Sequence, residues 1–165
     1  MPISEQTIRV PDFWPSVRDL SARSRAESLV LLPDDVGELD GQLTASFRES
    51  AQNLAVRARS EGVAVEFVTP PGAERGMYRE RTADWVLPWI LSIPTGVAIG
   101  LIVNEIQRAI DAARAAKQAL PTIRFREVVI EEGRTTAHEL TGPADEVRDM
   151  LSRRLENGTP PRANE

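Results

Sequence analysis

The chain contains no cysteine. Disulfides, thiolate nucleophiles and cysteine-ligated metals are therefore excluded, and the composition suits a reducing compartment. It has one histidine, His138. A zinc site needs several His or Cys ligands, so one imidazole is too few. A Ser-His-Asp system needs the imidazole between a nucleophile and a carboxylate, and no motif in the sequence assembles that set. Lysine is almost missing: of 20 basic residues only Lys117 is not arginine. The net charge of −5 lacks the basic footprint of general nucleic-acid binding. Neither G-x-x-x-x-G-K-[ST] nor G-x-G-x-x-G occurs, so no standard phosphate loop is present. No cofactor is implied.

What is present is ordinary for a globular protein: 165 residues, 41% hydrophobic and 27% charged. The N-terminal "MPISEQTIRVPDF" shows neither the basic start nor the apolar stretch of a secretory signal, so a cytoplasmic location is expected. Residues 1–158 read as a single domain and 159–165 as a disordered tail.

Pro15 suits the first turn of a short helix running to about Arg25. Leu29 to Leu32 form an apolar run ended by Pro33, as in a strand buried on both faces. From Val36 to Glu61, apolar residues recur at three- and four-residue steps through Leu39, Leu43, Phe47, Ala51, Leu54 and Ala58. That spacing predicts one helix capped by Gly62. "VAVEFVT" is a second strand, which completes a parallel βαβ unit. Residues 70–83 read as a polar loop or short helix. "TIRFREVVIEEGRTTAHELTG" reads as a hairpin turning at Glu132-Gly133, and "PADEVRDMLSRRLEN" as a last helix. The expected fold is α/β or α+β with about four strands and a long central hydrophobic helix.

That helix is expected within Trp85 to Ala119. Trp85 to Val103 is nineteen residues without a charge. At ~1.5 Å per residue these would reach about 28 Å, the lower end of a bilayer core. Pro88 and Pro94 interrupt the run, so the helix is expected to start near Ser92 or Ile93. Flanking arginines and Lys117 are balanced three against three and give no topological bias. A buried helix is favoured over the alternative, a membrane anchor formed by Trp85 to Val103, and peripheral attachment through Trp85 and Trp89 stays open. Gly96 and Gly100, followed by Asn104, form a G-x-x-x-G face suited to close helix pairing.

Besides a membrane-anchored protein using the 85–103 apolar segment, two functional expectations follow. The first is protein–protein interaction or self-association through Trp85, Trp89, Gly96, Gly100 and Asn104, without an assignable catalytic activity. The second is a magnesium- or nucleotide-dependent enzyme. Asp34, Asp35 and Thr69 would then share the crevice at the carboxyl ends of the first two strands. "PPGAERG", with Arg75, could touch an anion. Glu127, Glu131 and Glu132 read as solvent-facing.

Overall fold

The computed structural model describes residues 3–23, 27–79, 84–92 and 97–157. Nine strands and four helices are formed among them, in two sheets.

The sequence pattern is realised directly in several places. α1 (Val17–Arg23) follows Pro15. β2 (Ser28–Leu32) is buried from Leu29 onward, and β5 (Ala64–Phe67) pairs with it in parallel. Gly62 takes φ +79°, the left-handed conformation that ends a helix. β8 (Thr122–Glu131) and β9 (Arg134–Pro143) pair antiparallel about Glu132 and Gly133, whose φ values are +49° and +71°. α4 (Ala144–Asn157) follows Pro143.

Elsewhere the structure corrects the expectation. The stretch from Val36 to Glu61 is not one helix. It forms β3 (Asp35–Leu39), β4 (Gln42–Arg48) and only then α2 (Glu49–Ser60). The cause is Asp40-Gly41, with φ +52° and +78°: two consecutive left-handed residues close a tight hairpin and cannot continue a helix. Leu43, Ala45 and Phe47 alternate along β4, a period of two that the four-residue steps concealed. Within the expected polar loop lies β6 (Glu74–Tyr78), parallel to β4. An N-terminal strand, β1 (Ser4–Ile8), pairs with β9. There are thus nine strands where about four were expected.

The largest correction concerns the apolar run. Trp85 to Leu91 is a strand, β7. The helix, α3, spans Ala98–Ala115. The expected helix start at Ile93, together with Pro94 and Gly96, lies outside the described residues, as do residue 158 and the whole expected tail, 159–165. No helix among the described residues is long and apolar enough to cross a membrane.

The larger sheet has the order β1-β9-β8-β7-β2-β5, and the smaller has the order β3-β4-β6. Helices α2, α3 and α4 supply the core on one face of the larger sheet, where Leu54, Ile102, Ile106 and Leu151 meet Leu29, Leu31 and Phe125. The opposite face carries a second cluster. There Trp14 and Leu20, from α1 and the arm before it, pack on Val30, Leu32, Trp89 and Val128. β2 and β7 are covered on both sides, which explains their continuous apolar sequences.

Gly133→Ala provides a test of the hairpin. Nothing lies within 4 Å of a Cβ built there, so the substitution isolates backbone strain. A loss of about 1–2 kcal/mol is expected in urea denaturation. An unchanged midpoint would contradict the left-handed turn.

Candidate functional site

β7 is paired to β8 with a register shift. Val86 lies opposite Arg124 and Trp89 opposite Arg126, so three steps on β7 match two on β8. The extra residue sits beside Pro88, which has no N–H to give to a ladder. Such a bulge reverses which side the following residues face. Trp85, Leu87 and Ile90 consequently pack with the helical face, whereas Trp89 and Leu91 pack with the α1 face.

The bulge also leaves a backbone acceptor to be satisfied. Leu87 O accepts from Arg126 Nε at 2.9 Å. The same guanidinium stacks 4.9 Å from the Trp89 ring centroid and places Nη2 2.6 Å from Asp34 Oδ1. Arg48, the last residue of β4, places Nε 3.2 Å from that same oxygen and lies 5.5 Å from the Tyr78 ring. Asp34 and Arg126 side chains are each 7% exposed. Burial lowers the Arg126 pKa, and the Asp34 carboxylate opposes that shift. Tyr78 is raised above its ordinary value of 10.0, first by burial and then by the Asp34 charge. Next to this cluster, Trp14 donates Nε1–H to Pro33 O at 2.9 Å and meets Trp89 edge to face. The cluster is an ionic clasp: its carboxylate joins an arginine of each sheet.

The second polar arrangement is a groove between α2 and α3. Ser50, Asn53, Leu54 and Arg57 line it from α2, and Glu105, Arg108 and Ala109 from α3. Trp85 and Leu87 of β7 complete the lining. Its volume is about 240 Å³. Ser50 Oγ donates to Val86 O at 2.9 Å, which fixes the start of α2 to β7. Glu105 is only 7% exposed, although it sits on a helix that has a polar side available. Arg57 Nε lies 2.7 Å from its carboxylate. Burial raises the Glu105 pKa, while Arg57 and then Arg108 draw it back down. The groove lining thus holds two guanidiniums and one carboxylate.

The residues expected from the sequence are distributed over several places. Trp85 is half-buried in the groove; Trp89 is 6% exposed and belongs to the core of the opposite face. Gly100 and Asn104 lie on α3, but nothing approaches within 4 Å of a Cβ built at Gly100. Among the described residues, no neighbouring backbone uses that glycine for close packing. Asp34 is engaged in the clasp, and Asp35 opens β3, exposed. Thr69 lines a different cleft, of about 310 Å³, with Phe13, Pro15, Pro33 and Pro70. Neither aspartate lines that cleft, so the expected three-residue crevice is not assembled. No cluster of three His, Cys, Asp or Glu suited to a metal occurs among the described residues.

His138 lies opposite Glu127 on β8 and Thr7 on β1, so hydroxyl, imidazole and carboxylate do share one cross-strand row. They do not form a relay. Glu127 is 2% exposed and accepts from Arg154 at 2.6 Å, while His138 Nδ1 has no hydrogen-bond partner among the described residues. Glu127 is therefore buried, not solvent-facing as expected. Arg75 stacks 4.1 Å from the Phe67 ring centroid.

Arg48, Arg57, Tyr78, Glu105, Arg108 and Arg126 were not singled out from the sequence. Two of them left a trace. Arg126 falls on the same strand face as Val128 and Ile130, and Glu105 falls inside the Ile102–Ile106 apolar stripe. A charge on an apolar face signals a buried partner.

No family model matches the chain, and no curated protein or solved structure matches it.

Tyr78 is the sole tyrosine, so an ultraviolet phenolate titration reports it alone. The wild type should titrate above 10, and Asp34→Asn should move the midpoint down because a neighbouring negative charge is removed. Stability linked to the neutral phenol is present below the unfolded value and lost as pH rises through the folded one. An unmoved midpoint would contradict the Asp34–Tyr78 coupling.

Proposed function

We propose that this chain works by binding another polypeptide, with the groove between α2 and α3 as its recognition surface. One observation carries the reading: an aromatic ring, a buried carboxylate and two arginines converge on an accessible groove. Burial of Glu105 disfavours its charged form, and groups perturbed in this way gather at functional sites. At about 240 Å³ the groove lies below the ~300–1,000 Å³ typical of small-molecule and cofactor pockets. It suits one or two side chains better than a nucleotide. Trp85 offers an amphipathic surface of the kind enriched at interfaces. The enzyme reading receives no comparable support, since Asp34 is tied to Arg126 and Arg48 at 2.6 and 3.2 Å.

A second copy of the chain is the simplest candidate partner. Light scattering after size exclusion, with and without Ala109→Trp to fill the groove, tests it. A dimer abolished by the substitution supports self-association. For a distinct partner, selection of displayed random heptapeptides should enrich sequences that bind the wild type and not Ala109→Trp. A monomer together with no enrichment over the filled variant would refute the proposal.

A further inference from the structure

We propose that the occupant of the α2–α3 groove is a polypeptide segment bearing an apolar side chain beside a carboxylate, and that Glu105 holds the place of that carboxylate when the groove is empty. The inference rests on the binding role assigned to this groove and specifies its chemistry.

The lining divides into two parts. Leu54, Leu87, Ala109 and the half-buried Trp85 ring give an apolar surface. Arg57 and Arg108 give two guanidiniums. Arg57 is 39% exposed at its side chain, and Arg108 is exposed. Among the described residues of the lining only Glu105 compensates them, which leaves one net positive charge on that described lining in a protein of net charge −5. Arg57 also reaches Glu105 from outside the helix that carries it: the pair joins α2 to α3 across the groove at 2.7 Å. A guanidinium recognises a carboxylate well because its N–H groups form a planar fork. Both arginines are placed to receive a second carboxylate from the open side.

Arrival of that carboxylate changes the balance at Glu105. The groups acting on Glu105 are Arg57 from α2, Glu61 directly after that helix and Arg108 from α3; β7 lines the groove with the uncharged Trp85 and Leu87. When a ligand carboxylate takes up the two arginines, the attraction that keeps Glu105 ionised weakens and its burial remains. Glu105 then takes a proton from solvent. Binding is coupled to proton uptake, so it tightens as pH falls while the ligand's own carboxylate stays charged.

The test uses two blocked peptides, acetyl-Leu-Glu-Leu-amide and acetyl-Leu-Gln-Leu-amide. Binding is followed by the indole N–H signal of Trp85 in nuclear magnetic resonance. Trp14 and Trp89, packed on the other face, serve as references. The acidic peptide should bind at least tenfold more tightly than the neutral one, and Arg108→Glu should remove that advantage. Between pH 7.5 and 5.5 the wild type should gain at least threefold in affinity, and Glu105→Gln should be flat. Equal binding of both peptides would overturn the carboxylate while leaving the groove a docking surface. A wild type flat with pH would overturn the exchange at Glu105. Phenylacetate binding as tightly as the acidic peptide would overturn the polypeptide occupant. Binding of neither peptide would refute the groove itself.

Discussion

The buried ion pair between Asp34 and Arg126 sets how the two sheets meet over their shared apolar core. Asp34 follows β2 of the larger sheet by two residues and precedes β3 of the smaller one directly. Its carboxylate receives Arg126 from the larger sheet and Arg48 from the smaller. Such a buried arrangement is not in itself a large source of stability, because removing the charges from water cancels much of the attraction. Its effect is to fix geometry. Once Asp34 is buried, a structure without both arginines would leave a charge uncompensated, at a cost of about 3–5 kcal/mol. Misdocked arrangements of the small sheet are thereby disfavoured.

The same chain of causes shapes the groove. Pro88 imposes the bulge, and the bulge gives Leu87 O to Arg126. Residues four apart in a regular strand face the same way, so Trp85 and Trp89 would otherwise share a face. The extra residue separates them: Trp89 goes under the Arg126 guanidinium and Trp85 goes to the floor between α2 and α3. Clasp and groove are therefore two results of one irregularity. The proline that makes the segment a poor helix also makes it a strand with two different faces.

How much of this was legible follows from which physical signals act locally. β2, β5, the β8–β9 hairpin and α4 carry their own punctuation in Pro33, Gly62, Glu132-Gly133 and Pro143, and are legible for that reason. Elsewhere two periodicities coincide. Leu39, Leu43 and Phe47 satisfy a helical step and also span a hairpin, and Asp40-Gly41 is the signal that decides between them. Trp85 to Leu91 is apolar because both of its faces are covered, and such a strand has no alternation to distinguish it from a buried helix. Trp85 was selected for its amphipathic ring and does line the groove, but its partners come from sequence positions 50–57 and 105–109. Contacts of that range are set by topology, which β3, β4 and β6 alter. The Asp34 pair was seen as chemistry at a strand end; its arginines, 14 and 92 positions away, were not visible.

Native-state hydrogen exchange on Asp34→Ala tests the clasp most directly. If the carboxylate joins the sheets, amides of β3, β4 and β6 should lose roughly a hundredfold or more in protection, following the 3–5 kcal/mol expected for a broken buried pair. The β8–β9 ladder should lose less. Equal loss across both sheets, or none in the smaller one, would contradict the account.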